Sequence, residues 1–155
     1  MGSPVTVDLG YWLNALGIQV KWELIFDSLT VSMLLPVMII STCVQLYSQE
    51  YLKEDPHLPR FFTYLSLFTF AMLMLVTGEN LFIMFLGWES VGIVSYLLVN
   101  YWFTGVSNNH AAMKALFMNK IGDWAFILVI SLAITIFGDL SLPTLFSLGH
   151  LINND

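Results

Sequence analysis

Long stretches without a charged residue constrain this chain more than any other feature of its sequence. Residues 28–49 are 22 consecutive positions without Asp, Glu, Lys or Arg. As a helix they would be about 33 Å long at a rise of 1.5 Å per residue, and the hydrocarbon layer of a bilayer is about 30 Å thick. This segment is therefore predicted to cross a membrane as a helix.

Composition excludes several classes of protein. Hydrophobic residues make up 57% of the chain, charged residues 10%, and the mean hydropathy is +0.78, whereas soluble domains are roughly 45–50% apolar and about 25% charged. An ordinary soluble domain and a disordered chain are excluded. The chain has 5 basic against 11 acidic residues, so it is not expected to bind nucleic acid. The single cysteine, Cys43, excludes a disulfide within the chain and a multi-cysteine iron–sulfur site.

The sequence predicts an all-α integral membrane fold with about four transmembrane helices, preceded by a small β-hairpin-like segment. Partial alternation of apolar residues, punctuated by Gly10 and Gly17, favours a hairpin near the N-terminus. We predict the extramembrane hairpin at 1–26, membrane helices at 27–49, 61–78, 81–103 and 111–138, a loop at 50–60, and a terminal surface segment at 139–155.

Basic residues predict the orientation of these helices. Lys53 and Arg60 lie in the 50–60 loop, and Lys114 follows the connection on the same face, whereas the opposite face has Lys21. The positive-inside rule then places the 50–60 loop on the matrix or cytoplasmic side and both termini on the other side.

Glu89 is the most informative charge, because it lies within the third predicted span. It is about nine positions past Asn80, or ~13 Å along a helix, close to the bilayer centre. An ionised carboxylate there is costly unless it is paired, hydrated or protonated. Hydrocarbon favours its protonated form and a nearby lysine its ionised form, and the small neighbours Gly87, Ser90 and Gly92 allow close approach. We predict a proton relay; the alternative is a glutamate that only fixes helix packing.

The fourth span contains three further charges that are candidates for a proton path. Lys120 and Asp123 are spaced i, i+3 and share a helix face, so they form either a functional pair or an ion pair that only eases insertion. Lys114 is nearer the surface, where it either extends its ammonium to the interface or acts as an entry-side charge. No phosphate loop, nucleophile–base pair or metal-ligand spacing is present, so we expect no cofactor or metal in this chain.

Six short motifs occur in a fixed order along the chain: FDSLT at 26–30, EDPH at 54–57, GWESVG at 87–92, SYLL at 95–98, AAMKA at 111–115 and NKIGD at 119–123. With these motifs the chain, from about Val5 onward, resembles the antiporter-like subunit 5 family of NADH:ubiquinone oxidoreductase, respiratory complex I. The family usually has Gly where this chain has Ser90. It usually has Arg-Val where this chain has Lys120 and Ile121, which keeps the charge.

The resemblance implies a polytopic subunit at the far end of the membrane arm of a redox-driven proton pump. It implies the mitochondrial inner membrane, with a bacterial plasma membrane less favoured, and places the 50–60 loop on the matrix side. FMN, iron–sulfur clusters and ubiquinone are expected in the complex and none of them in this chain. Expected partners are other fragments of the same subunit, neighbouring antiporter-like and accessory subunits, and membrane lipids.

The resemblance also assigns roles to residues. It implies that Glu89 belongs to the proton-transfer chain and Asp123 to the same half-channel region, and it places the lysines that partner the glutamate downstream of this chain. We therefore expect an interior piece of a subunit, supplied as separate fragments or truncated, in which Glu89 lacks its lysine partner. Two other functions stay open: a subunit of an Mrp-type cation/proton antiporter, and a structural membrane fragment without pumping.

Overall fold

The computed structural model describes residues 4–15 and 18–152. Within them, two antiparallel strands are followed by four long helices and one short helix. The elements are β1 (Val5–Ala15), β2 (Ile18–Phe26), α1 (Ser28–Tyr51), α2 (Leu58–Thr77), α3 (Leu81–Val99), α4 (Val106–Phe137) and α5 (Leu142–Ile152). Helices α1 to α4 are each long and apolar enough to cross a membrane. The predicted fold class, about four transmembrane helices after a small β-hairpin, is confirmed.

The hairpin contains one of the two glycines that suggested it. Gly10 has φ of +113° and lies where the register of the two strands shifts, between Asp8 and Tyr11. Such a backbone conformation strongly favours glycine, and the one extra residue of β1 in this interval forms a bulge that bends the strand. The other glycine, Gly17, lies outside the described residues.

Short polar side chains start two of the membrane helices. Asp27 Oδ1 accepts a hydrogen bond of 2.7 Å from the Thr30 N–H at the start of α1. Asn80 Oδ1 accepts one of 2.9 Å from the Ile83 N–H at the start of α3. These caps satisfy backbone donors that a helix leaves free at its first turn. Helix α4 ends at Gly138 (φ +69°), whose left-handed backbone conformation is common for the glycine that terminates a helix.

Helix α4 is longer than a bilayer is thick. Its 32 residues extend about 48 Å, against about 30 Å of hydrocarbon. The helix begins at Val106, ahead of residue 111, because the polar residues 107–110 form its first turn instead of a loop. Part of α4 therefore extends beyond the apolar layer, or the helix tilts.

Consecutive helices pack against each other, and small side chains mark the closest contacts. A Cβ atom on Gly87 of α3 would lie 2.7 Å from Leu75 Cα of α2, so only glycine fits there. Between α1 and α2, Ser41 Oγ lies 2.6 Å from Thr69 Oγ1. Much of the outer surface stays apolar and exposed, as expected for helices that face lipid or other protein chains.

A small buried core lies at the hairpin end of the helices, where the hairpin, the α2–α3 turn and the segment after α4 meet. Backbone hydrogen bonds join these three parts: the Glu79 N–H donates to the Glu23 carbonyl (3.2 Å), and the Leu142 N–H donates to the Glu79 carbonyl (3.0 Å). The core residues are Val20, Leu81, Ile130, Ala133 and Leu140.

Candidate functional site

Glu89 lies near the middle of helix α3. Glu89 is the ninth of the 19 residues of α3, about 12 Å from the start of the helix. The neighbouring Ser90 hydroxyl donates to the Leu86 carbonyl at 2.8 Å, so it is satisfied within its own helix. Ser90 therefore does not donate to the Glu89 carboxyl.

Helix α4 supplies that partner. Lys120 Nζ lies 2.6 Å from Glu89 Oε2 and 3.3 Å from Asp123 Oδ2. One ammonium thus bridges a carboxylate on α3 and a carboxylate one turn further along α4. We call these three residues the Glu89–Lys120–Asp123 cluster; it unites three of the four charges predicted from the sequence.

A glycine allows the two helices to approach beside the cluster. A Cβ atom on Gly92 would lie 3.2 Å from Asn119 Nδ2, which is tighter than an ordinary van der Waals contact. Asn119 directly precedes Lys120 on α4. The small residue at position 92 therefore helps set the distance between Glu89 and Lys120.

The three side chains differ in burial. Asp123 is only 6% exposed, Glu89 22% and Lys120 47%. Among the described residues, Asp123 Oδ1 is buried without a hydrogen-bond partner. The cluster therefore extends from the buried Asp123 carboxylate, one of whose oxygens has no partner among the described residues, to the partly exposed Lys120 ammonium at the surface of the α3–α4 pair.

The charges of the cluster do not balance when all three groups are ionised. Two carboxylates and one ammonium sum to a net charge of −1, and net charge in an apolar layer is costly. One additional proton on either carboxyl group makes the cluster neutral. The cluster therefore contains one more acidic than basic group, between two helices that are each apolar enough to cross a membrane.

The fourth predicted charge is not brought to this cluster. Lys114 is exposed on the early part of α4, and in the portion of the chain described by the structure no ion pair includes it. Its role as an entry-side charge stays a prediction.

The structure gives Glu89 a lysine partner within this chain, Lys120, whereas the partner lysine that the resemblance places outside this chain stays a prediction. The i, i+3 spacing revealed the Lys120–Asp123 pair within one helix. The pairing with Glu89 depends on how α3 and α4 are aligned, which no spacing within the sequence reports.

Sequence reasoning missed one buried charge altogether. Glu79 is 6% exposed, although it lies in the short turn between α2 and α3, where a solvated side chain is the ordinary expectation. Its adjacency to a turn glycine and to the cap residue Asn80 gave no signal of burial, because the burial comes from the hairpin and from the segment after α4.

Two family models match the chain over most of its length. The model described as NADH-ubiquinone oxidoreductase (complex I), chain 5 N-terminus, matches residues 12–62. The model described as NADH:quinone oxidoreductase/Mrp antiporter, TM, matches residues 78–154 and so includes the whole cluster. The chain belongs to the complex I chain 5 family.

Curated relatives agree with this family. NADH-ubiquinone oxidoreductase chain 5 of Rhizopus stolonifer is 54% identical over 99% of this chain and 24% of its own length. The chain 5 protein of Cryptococcus neoformans is 50% identical over 98% of this chain and 23% of its own length. A Neurospora crassa protein named probable intron-encoded endonuclease 4 is 47% identical over 98% of this chain and 28% of its own length. The chain therefore spans about a quarter of the length of the relatives that it matches.

Proposed function

We propose that this chain is part of the proton-translocating membrane arm of NADH:ubiquinone oxidoreductase, and that the Glu89–Lys120–Asp123 cluster carries one proton-transfer step. The observation that carries the proposal is the shared ammonium, 2.6 Å from one carboxylate and 3.3 Å from the other. Membership of the chain 5 family supports it, because relatives that are 54% and 50% identical to this chain are named as chain 5 of that oxidoreductase.

The cluster transfers a proton by moving one positive charge between two acids. While Lys120 pairs closely with Glu89, the Glu89 carboxylate stays ionised, and the excess proton is better placed on Asp123. When the ammonium moves toward Asp123, Asp123 gives its proton to water, and Glu89, which has lost its counter-charge, takes a proton from water. One O–H bond breaks on Asp123 and one forms on Glu89, so the cluster stays neutral. Return of Lys120 reverses both transfers: Glu89 releases its proton to water and Asp123 takes one up. A change in the electric field around Lys120 is enough to drive the cycle.

The energy for this movement comes from elsewhere in the complex under this proposal. NADH oxidation, with FMN, iron–sulfur clusters and ubiquinone, is assigned to other subunits. The partners are the remaining part of the same subunit, neighbouring antiporter-like and accessory subunits, and lipids of the mitochondrial inner membrane. The partly exposed Lys120 is the cluster residue that such neighbours reach most directly.

Two kinds of related protein, Mrp antiporters and a protein named as an intron-encoded endonuclease, suggest different functions. The model matching residues 78–154 also covers Mrp antiporters, so purification of the chain together with flavin and iron–sulfur subunits distinguishes the oxidoreductase from an antiporter. The endonuclease name does not suit this chain, because 5 basic residues and four membrane-spanning helices do not provide a phosphate-binding surface.

Glu89→Gln tests the proposal directly. Glutamine keeps the size of the side chain and a hydrogen-bond acceptor for Lys120 but cannot exchange a proton at neutral pH. In the assembled complex, reconstituted in vesicles, we expect normal amounts of enzyme, fewer protons pumped per NADH and lower coupled turnover. Glu54→Gln, in the exposed loop between α1 and α2, is the matched control and should leave both quantities unchanged.

A fully assembled Glu89→Gln enzyme with normal proton stoichiometry and turnover would contradict the proposal. That result would indicate that the cluster only holds α3 and α4 together, which is the structural alternative.

A further inference from the structure

A second group of acidic side chains lies at the hairpin end of the molecule, away from the Glu89–Lys120–Asp123 cluster. A cavity of about 490 Å³ opens there between the hairpin, the α2–α3 turn and the segment after α4. Each of these three parts contributes one carboxyl group to its lining. The acidic residues are Glu23, Glu79 and Asp139, and neighbouring polar residues are Asn80, Ser141 and Thr144.

The three carboxyl groups are not equivalent. Lys21 pairs with Glu23 (3.3 Å) and Asp8 (3.7 Å). Asp139 accepts hydrogen bonds from the Leu140 N–H and from the Ser141 N–H and hydroxyl. Glu79 is more than nine-tenths buried. Within residues 4–15 and 18–152, no lysine, arginine or histidine forms a salt bridge with it.

The backbone holds the Glu79 carboxyl beside Glu23. The Glu79 N–H and carbonyl are both used, by Glu23 on the hairpin and by Leu142 after α4, so the residue is tied to both neighbours. Its side chain and that of Glu23 line the same cavity. Two carboxylates contain only acceptors and repel each other, so a proton on the buried Glu79 removes that repulsion.

We propose that Glu79 is a proton-binding site at the hairpin face of this chain, where its buried carboxyl holds an exchangeable proton beside Glu23 and reaches water through the cavity. Taking up the proton forms one O–H bond on the Glu79 carboxyl and breaks one in water, and release reverses both steps. The site lies at the start of α3, whereas Glu89 lies near the middle of that helix. It depends on the hairpin junction alone and not on the function proposed for the cluster.

The charges around Glu79 support exchange near neutral pH. Burial first, and then the negative charge of Glu23, raise the pKa of Glu79 to about 7 from its ordinary value of 4.5. Asp139 raises it further, and Lys21 lowers it. These are the charged groups that face Glu79 from β2, where Lys21 and Glu23 lie, and from the segment after α4, where Asp139 lies.

Infrared difference spectroscopy of the assembled complex during a pH titration tests this site. A protonated carboxyl group has a C=O stretching band separate from that of a carboxylate. We expect the complex containing the natural chain to lose one such band with a midpoint near pH 7, and Glu79→Gln to lack that component. Glu23→Gln removes the negative neighbour, so the band should remain and its midpoint should move to lower pH. Glu54→Gln, on the opposite face, is the control and should change nothing.

Three results would overturn the proposal. The first is a neutral-range band that survives Glu79→Gln, and the second is a Glu79 band whose midpoint is unchanged by Glu23→Gln. The third is a band removed when sodium replaces choline at constant ionic strength, which would mean that the carboxylates bind a cation instead of a proton. None of these measurements depends on pumping, so they are separate from the test of Glu89.

Discussion

At the scale of single residues, Lys120 connects two acids that lie on different helices. Its ammonium contacts Glu89 and Asp123 at the same time, so removing its charge affects both. An uncompensated pair of carboxylates in a membrane is costly, and proton uptake by both groups relieves that cost. The lysine therefore sets the charge balance of the cluster on which the proposed function depends.

Lys120→Met should abolish proton exchange without preventing insertion into the membrane. Methionine has a similar length but no charge, so no positive charge remains that could move between Glu89 and Asp123. Lys120→Arg keeps the charge and is the matched control. The measurement is proton pumping by the assembled complex in vesicles. We expect Lys120→Met to lose most of its pumping and Lys120→Arg to retain it. Equal pumping in the two variants would show that the charge at position 120 has no role.

The residues of this cluster were foreseeable from the sequence only in part. Glu89 was identified because an acid within an apolar run is rare, and the Lys120–Asp123 pair because its members are one helical turn apart. The Glu89–Lys120 contact was not foreseeable, because it depends on the rotation of α3 against α4. Glu79 was missed for a similar reason, since the residues that bury it are distant in sequence.

At the scale of secondary-structure elements, the four long helices and the hairpin follow directly from the local sequence. Long, predominantly apolar runs specify the helices, and Asp27 and Asn80 fix where two of them begin. Packing between helices is specified less visibly, by single small residues. The contact between Gly87 and the backbone of Leu75 is the tightest example.

Gly87→Ala should therefore weaken the contact between α2 and α3. The new methyl group would lie 2.7 Å from backbone atoms of Leu75, and overpacking of this kind costs about 1–3 kcal/mol, more than the ~1 kcal/mol that alanine gains over glycine in a helix. Gly122→Ala on α4 is the control, because nothing lies within 4 Å of its added Cβ. The measurement is the free energy of unfolding in mixed detergent micelles. A Gly87→Ala variant as stable as Gly122→Ala would contradict the packing described here.

At the scale of the whole molecule, the hairpin is attached to the helices through the α2–α3 turn. Glu79 and Asn80 both hydrogen-bond to the hairpin: the Glu79 N–H donates to the Glu23 carbonyl (3.2 Å), and Asn80 Nδ2 donates to the Lys21 carbonyl (2.8 Å). The same turn is joined to the segment after α4 at Leu142. Ionisation of the buried Glu79 carboxyl therefore acts on the junction between three parts of the chain.

Docking of the hairpin should weaken as the pH rises through neutrality. Burial raises the pKa of Glu79 from 4.5 to about 7, so between these values the folded junction holds a proton that the undocked state releases. Its contribution, on the order of 1–2 kcal/mol, is fully present below pH 4.5 and is lost as the pH passes 7. Hydrogen-exchange protection of the β2 amides, corrected for the intrinsic exchange rate, should fall over this range in the natural chain and stay level in Glu79→Gln. The same fall in both chains would place the titrating group elsewhere, because glutamine at position 79 carries no exchangeable carboxyl proton.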